Sequence, residues 1–185
     1  MIRIDTRASW GEIPPWEHLV HFYSDETAFL DTLEGFIGGG LRSGDSAIVI
    51  ATPAHLAALE TRMARGGIDV DRARQREQYM PLDAAATLDL FMVGGRPDPE
   101  KFMAVLERVL ARAHQGEWKV RAFGEMVVLL LARGDVDATL ELEHLWQKAC
   151  AKHGLSLLCA YPTSVAGGAE QVGHICRAHS RVLTH

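Results

Sequence analysis

Short apolar segments alternate with amphipathic segments along almost the whole chain. Five apolar or β-branched segments have the length and composition of strands; they are residues 18–23, 47–51, 77–82, 119–123 and 155–160. Between them, hydrophobic side chains recur at intervals of three and four residues, which is the period of an amphipathic helix. Alternating strands and helices form parallel sheets that helices cover on both faces. The sequence therefore predicts an α/β fold, a three-layer sandwich around a mostly parallel sheet of about five strands.

Capping residues and glycines indicate where several helices begin and end. Ser24 is predicted as the N-cap of the first helix, with two acidic residues in its first turn. The glycines at 38–40 and Gly44 are predicted to end that helix, because glycine is a poor helix former. A last helix is predicted at about 168–180, where it ends the chain.

The length and composition favour one globular domain. A chain of 185 residues is long enough to bury a core, and 48% hydrophobic with 23% charged residues is ordinary for a globular protein. Residues 1–16 end in Ile13-Pro-Pro-Trp16 and are predicted as an N-terminal arm rather than a regular element. Residues 17–185 are predicted as the single domain.

Charge and cysteine content narrow the classes of partner. The net charge of -5 argues against a nucleic-acid surface. Three cysteines (Cys150, Cys159 and Cys176) lack zinc or disulfide spacing and fit a reducing compartment. No leader is recognised, and no apolar run has the roughly 20 residues of a membrane span. We therefore expect a cytoplasmic protein that binds neither nucleic acid nor membrane.

The carboxyl ends of the predicted strands define the expected ligand site. In open parallel sheets, ligands bind beyond these ends, and we expect five turns to converge there: residues 23–26, 52–55, 81–83, 124–126 and 159–162. The first turn carries a hydroxyl and two carboxylates, where a nucleotide-binding protein has glycines and a lysine that hold phosphate. The chain also has no GxxxxGK[ST] motif. Nucleotide hydrolysis is therefore disfavoured, and we expect no enzyme activity and assign no catalytic residue.

Three residues on two predicted strands are candidates for contacting a ligand at this rim. His21 and Tyr23 share one strand face. They are either a buried hydrogen-bonded pair or a pair that contacts the ligand. Glu125 follows Gly124 at a strand end. It is either a general base or a group that polarises the ligand, or a glutamate stabilised by the helix dipole.

Cys159 and Tyr161 share a face of the last predicted strand, at the same rim. A nucleophilic Cys–His pair is one interpretation of Cys159, but no local signature supports it. A small apolar residue beside a ligand pocket is the interpretation that we favour. Tyr161 would then lie on the same side of that pocket.

The nine histidines raise the question of a metal site. His18 and His21 are three apart on a strand, so they point to opposite faces and cannot bind one ion together. Cys176 and His179 share a helix face, but two ligands make a weak site. The sequence therefore predicts neither a metal nor a cofactor.

Six segments in order resemble one known family: His18–Tyr23, Gly40–Ile50, Arg121–Met126, Leu142–Trp146, Leu158–Pro162 and Cys176–Val182. Together they resemble the MEDS domain, the methanogen/methylotroph DcmR-type sensory domain, over about residues 17–182. The resemblance implies a degenerate relative of the KaiC/RecA-like ATPases that has lost the phosphate-binding loop. That implication agrees with the acidic first turn.

The resemblance also implies a function and a set of site residues. Six residues occupy motif positions and form the expected ligand-binding set: His21, Tyr23, Glu125, Cys159, Tyr161 and His179. The implied function is a non-catalytic sensory domain that binds a small organic ligand, such as a hydrocarbon derivative. It would signal through a sensor kinase, a transcriptional regulator or a second copy of the chain. The alternatives are an interaction or scaffold module with a vestigial cleft, and a residual ATPase or cysteine-dependent enzyme.

Overall fold

The computed structural model describes residues 3–5, 10, 13–113 and 119–183. Its strands are β1 (Arg3–Asp5), β2 (His18–Tyr23), β3 (Ser46–Ala51), β4 (Tyr79–Asp83), β5 (Met92–Val93), β6 (Arg96–Pro97), β7 (Val120–Gly124), β8 (Ser156–Pro162) and β9 (Arg181–Leu183). Seven of them form one sheet in the order β1-β9-β2-β8-β7-β3-β4, and each neighbouring pair is parallel. β5 and β6 form a separate antiparallel pair. The carboxyl ends of the main-sheet strands therefore lie at one edge, as predicted.

Helices cover both faces of this sheet. They are α1 (Glu26–Arg42), α2 (Pro53–Arg65), α3 (Val70–Gln75), α4 (Ala84–Asp89), α5 (Pro99–Ala113), α6 (Met126–Ala132), α7 (Val136–His153) and α8 (Ala169–Arg177). α1 to α3 pack on one face, around Leu19 and Val49. α4 to α8 pack on the other, around Val20 and Ile48. The predicted three-layer α/β architecture is confirmed, and none of these helices combines the length and apolarity that a membrane crossing needs.

The sheet has two more strands than the sequence predicted, and both lie at one edge. β9 forms because α8 ends at Arg177, before the predicted end of the last helix, and the chain then pairs with β2 and β1. The interpretation of residues 1–16 as an arm without a regular element is wrong at β1. Strands of three residues are too short to show an alternating pattern. Residues 1–2, 6–9 and 11–12 lie outside the described residues.

The sequence predicted Ser24 as the N-cap of α1, but the N-cap is Asp25. Oδ1 of Asp25 accepts a hydrogen bond from the backbone N of Ala28 at 2.9 Å. An N-cap side chain satisfies an amide that has no partner inside the helix. In this first strand-to-helix turn, a carboxylate therefore occupies an amide donor that a phosphate would otherwise use.

The glycines at 38–40 do not end α1, which continues through them to Arg42. Gly44, predicted as part of the same stop, lies two residues beyond this end with a φ of 87°. The environment of the glycines at 38–40 gives the reason for one of them. A Cβ atom on Gly40 would lie 2.6 Å from Cδ and from Nε of Arg121, so any larger side chain would displace that arginine. The sequence shows a poor helix former at this position but not the neighbour that requires it.

Arg121 connects β7 to α1 and to the turn before β3. Its side chain is 3% exposed, and Nε donates to Oδ2 of Asp45 at 2.8 Å. Nη1 donates to the carbonyl oxygens of Phe36, at 3.0 Å, and Trp10, at 2.6 Å. A buried guanidinium is stable only when its charge is paired and its donors are satisfied. Arg121 is therefore a buried, charge-paired side chain that joins β7 to α1 and to the turn before β3 within the apolar layer.

Candidate functional site

One cluster of polar side chains lies at the carboxyl edge of the sheet, between the ends of β3 and β7. Glu125 follows β7 directly and accepts hydrogen bonds from Nδ1 of His55 and from the backbone N of Thr52, both at 2.8 Å. Its own backbone N donates to the carbonyl of Ile50, at 2.8 Å. Both carboxylate oxygens of Glu125 thus accept a hydrogen bond, and the one from Nδ1 fixes the orientation of the His55 imidazole. Nε2 of His55 then lies 3.9 Å from the exposed carboxylate of Glu26.

Aromatic rings form one wall of this rim cluster. The ring of Phe29 lies 4.9 Å from that of His55, and Tyr23 stacks on Phe29 at 4.8 Å between centroids. Burial, Glu125 and Glu26 raise the pKa of Tyr23 to about 12, so its hydroxyl stays protonated. The hydrogen bond to Glu125 raises the pKa of His55, although partial burial opposes this. The rim therefore presents a phenol and an imidazole as hydrogen-bonding groups.

Replacing Glu125 with glutamine should lower the pKa of His55 towards its ordinary value of 6.5. The carboxylate stabilises the imidazolium form, and an amide does so much less. Because the folded-state pKa is raised, the stability that this pair contributes is present below pH 6.5. It is lost as the pH rises through the raised value. An NMR titration of the His55 ring in both proteins measures the difference.

The control for this titration is Glu26→Gln. It removes a carboxylate that is farther from the ring, at 3.9 Å, and 69% exposed. This variant should change the pKa of His55 less than Glu125→Gln does. An unchanged His55 pKa in Glu125→Gln would show that the two side chains are not coupled in solution.

A surface depression of about 320 Å³ lies beside the rim cluster, at the carboxyl end of β2. His21, Tyr23, Asp25 and Thr163 are among the residues that line it. The backbone N of Thr163 donates to the carbonyl of Tyr23 at 2.8 Å, which closes one side. A volume of roughly 300 Å³ or more is the size of small-molecule sites. Tyr23 therefore borders both the depression and the rim cluster.

A second cluster of polar side chains is buried on the α7 side of the sheet. At its centre, Oε2 of Glu143 lies 3.2 Å from Nε2 of His18 and 3.5 Å from Nε2 of His179. Sγ of Cys159 lies 3.5 Å from Nε2 of His18 and 3.6 Å from the same carboxylate oxygen. The hydroxyl of Tyr161 donates to the other oxygen, Oε1. All five side chains are buried. Four of them are of metal-ligating types, and their ligand atoms all lie within 4.8 Å of one another.

Burial and charge set the protonation states in this buried cluster. Burial lowers the pKa of His179 to about 4, although the carboxylate of Glu143 opposes it, so the ring is neutral at pH 7. Burial alone would raise the pKa of Glu143, but His179, His18 and Tyr161 together hold it below its ordinary value. Burial and Glu143 raise the pKa of Cys159 well above its ordinary value. A thiol that stays protonated is a poor nucleophile, which disfavours a cysteine-dependent activity.

The six residues predicted to bind a ligand separate into two groups. His21, Tyr23 and Glu125 lie at or beside the rim, and Cys159, Tyr161 and His179 lie in the buried cluster. The expectation that Cys159 and Tyr161 line an open rim is wrong, because both are fully buried next to α7. His179 follows α8 instead of lying within it. The prediction that His18 and His21 point to opposite faces agrees with their contacts, since only His18 reaches the buried cluster.

Sequence reasoning did not single out Glu143 and His55. For Glu143 a signal exists, since it lies on the apolar stripe of α7 with Leu142, Trp146 and Ala149, all buried. A charged residue on such a stripe indicates a buried polar partner. His55 lies in the turn 52–55, which was predicted to reach the rim, but its contact with Glu125 depends on β3 and β7 being neighbours.

Comparison with known proteins identifies a family. The family model described as MEDS, MEthanogen/methylotroph, DcmR Sensory domain, matches residues 17–180. Among curated proteins, a search found no match to this chain. The match to the family model covers residues 17–180 of 185, which is nearly the whole chain.

Two solved structures from Pyrococcus horikoshii share the fold. The KaiC-like protein PH0186, from strain OT3, is 16% identical with a TM-score of 0.59; the match covers 83% of this chain but only 66% of that protein. The uncharacterized protein PH0321, solved in complex with an unknown peptide, is 14% identical with a TM-score of 0.64, over 96% of this chain and 80% of that one. At these identities the similarity shows the fold alone, and it is the KaiC-like fold.

Proposed function

Because the chain belongs to the MEDS family of sensory domains, we propose that it is a non-catalytic sensory module that binds a small organic ligand at its carboxyl rim. The family match supports a sensory or signalling role. The ligand, its site and the protein that receives the signal are the proposed part. The observation that carries the proposal is the oriented pair of Glu125 and His55 beside the aromatic wall of Tyr23 and Phe29.

The chemistry of the rim favours a small ligand with one polar group. Glu125 holds Nδ1 of His55, so Nε2 and the protonated hydroxyl of Tyr23 remain to hydrogen-bond a ligand. The rings of Tyr23 and Phe29 suit an apolar group. An alcohol or another neutral hydrocarbon derivative with one polar group combines these two properties. The depression of about 320 Å³ beside Tyr23 is large enough for such a molecule.

The acidic first turn supports a ligand other than a nucleotide. Asp25 already accepts the hydrogen bond from the amide of Ala28, and its charge repels phosphate. The neighbouring Glu26 is 69% exposed and adds a second negative charge. These carboxylates argue against residual ATP hydrolysis at this end of the sheet.

A sensory module needs a receiver for its signal. A ligand shifts the population of surface states by its difference in affinity between them. A sensor kinase, a transcriptional regulator or a second copy of this chain would then recognise the shifted state. The loops at the carboxyl rim, next to Tyr23 and Glu125, are the surface nearest to the proposed ligand.

The proposal is tested by ligand-observed NMR with a set of small alcohols and other neutral hydrocarbon derivatives. A molecule that binds the wild type should bind Tyr23→Ala and Glu125→Gln about two- to tenfold more weakly, since a neutral hydrogen bond contributes about 0.5–1.5 kcal/mol. Glu170→Gln, at a side chain that is 95% exposed, is the matched control and should bind normally. Equal affinity in all four proteins would place the site elsewhere. ATP hydrolysis above that of Glu125→Gln would contradict the non-catalytic assignment.

A further inference from the structure

Four elements that are distant in sequence contribute one side chain each to the buried cluster. They are β2 with His18, α7 with Glu143, β8 with Cys159, and the turn after α8 with His179. Nitrogen, carboxylate oxygen and sulfur are together the donor set of zinc sites. Oxygen-only ions such as Mg²⁺ and Ca²⁺ do not use thiol or imidazole in this way. The residue types therefore select a borderline-soft transition metal.

The distances within the cluster match a tetrahedral metal site. Bonds of about 2.0–2.3 Å place neighbouring ligand atoms of a tetrahedron about 3.4 Å apart for nitrogen and oxygen, and about 3.6 Å apart where one is sulfur. The observed separations are 3.2 Å and 3.5 Å from Oε2 of Glu143 to the nitrogens of His18 and His179. Those to Sγ of Cys159 are 3.5 Å from His18 and 3.6 Å from Glu143. Four of the six separations thus match those of ligands that share one ion, and the other two, from His179 to His18 and to Cys159, are no more than 4.8 Å.

The surroundings of the cluster orient these atoms inwards. Nδ1 of His179 donates to the carbonyl of Ile175 at 2.7 Å, so the lone pair of the neutral ring is on Nε2. That Nε2 is buried, has no hydrogen-bond partner among the described residues, and faces Oε2 of Glu143. Tyr161 occupies the other carboxylate oxygen, which leaves Oε2 as the single ligand atom of Glu143. Outer contacts of this kind are what hold metal ligands in proteins.

The charges around Glu143 also favour a bound cation. In the part of the chain that the structure describes, the short contacts of Oε2 of Glu143 are with the two imidazoles and the thiol, and no lysine or arginine is paired with this carboxylate. A carboxylate oxygen and a ring nitrogen with its lone pair are both electron-rich, and a cation between them removes their repulsion. Four protein ligands with no open position are typical of a structural site.

We propose that His18, Glu143, Cys159 and His179 bind one Zn²⁺-class transition metal ion in a closed, structural site. On binding, the Cys159 thiol releases its proton to solvent as the metal–sulfur bond forms. The ion would join β2 and β8 to the segment between α8 and β9, and so fix the last part of the chain to the sheet. This site shares no residue with the proposed rim site and does not depend on it.

The test uses Co²⁺ as a spectroscopic probe for the full chain, which is unfolded with chelator and refolded with Co²⁺ because the site is buried. The wild type should bind one Co²⁺ per chain, with the d–d bands of a four-coordinate site and a thiolate-to-cobalt charge-transfer band. Zn²⁺ should displace it. Cys159→Ser should lose the charge-transfer band, and His179→Gln should bind at least about tenfold more weakly. His174→Gln, at an exposed histidine, should bind as the wild type does.

A second variant keeps the test decisive if Cys159→Ser or His179→Gln fails to fold. Replacing both Cys150 and Cys176 with alanine leaves Cys159 as the only thiol. The charge-transfer band must persist in this protein if Cys159 is a ligand. Absence of stoichiometric Co²⁺ uptake by the refolded wild type, or loss of the band in this double variant while the protein stays folded, would overturn the proposal.

Discussion

Replacing Glu143 with alanine is expected to lower the free energy of unfolding by about 3 to 5 kcal/mol. The carboxylate is fully buried, pairs with His18 and His179, and accepts a hydrogen bond from Tyr161. Without it, the hydroxyl of Tyr161 and the thiol of Cys159 stay buried without their acceptor, and each unsatisfied group adds its own desolvation cost. The missing side chain also leaves a cavity. Urea unfolding followed by circular dichroism, with chelator present, measures the loss in the metal-free protein.

The matched control is Glu141→Ala, two positions earlier on the same helix. Glu141 is about half exposed and pairs with Arg96 at the surface, so its removal should change stability far less. The two variants have the same change in charge and the same loss of atoms. If both lose equal stability, the effect comes from helix α7 itself and not from the buried cluster.

Replacing Arg121 with methionine should lower the free energy of unfolding by a similar amount, about 3 to 5 kcal/mol. Methionine keeps much of the length of the side chain, but it removes the donors to Asp45 and to the carbonyl of Phe36. Asp45, whose side chain is 12% exposed, would then remain as a charge without its guanidinium partner. Thermal or urea unfolding at pH 7 measures the difference.

The comparison for this variant is Arg96→Met. Arg96 makes two ion pairs, with Asp137 and Glu141, but its side chain is about half exposed. Solvent screens such pairs, so the loss of both should have a small effect. Similar losses for Arg96→Met and Arg121→Met would mean that burial does not set the strength of the Arg121 pair.

Local signals in the sequence were sufficient for much of the fold. Asp83 and Asp135 are N-caps that local sequence can indicate, because the capping hydrogen bond involves only residues three apart. The strand at 46–51 is apolar throughout since both its faces are buried. The glycines of α1 were misinterpreted because the reason for Gly40 is a neighbour, Arg121, that lies far away in sequence.

The candidate sites were predictable only in part, because they too are formed by residues that are distant in sequence. Glu125 was identified from its place after a strand, and the structure locates it at the carboxyl edge. The buried cluster needs the order β9-β2-β8, which brings together residues 18, 159 and 179. The hydrophobic periodicity of a single segment gives no information on which strands are neighbours in the sheet. A charged residue on the apolar stripe of α7 was the one local indication of it.

The strand order also has a consequence for the synthesis of this protein. β2 leaves the ribosome more than 100 residues before its two neighbours in the sheet, β8 and β9. The backbone N of His18, for example, bonds to Ser180, which is 162 residues away. Contacts between such distant residues form slowly, since a long loop must close before they contribute any stability. This side of the sheet is therefore completed only after β8 and β9 have been synthesised, and until then the apolar strand β2 lacks its partners in the sheet.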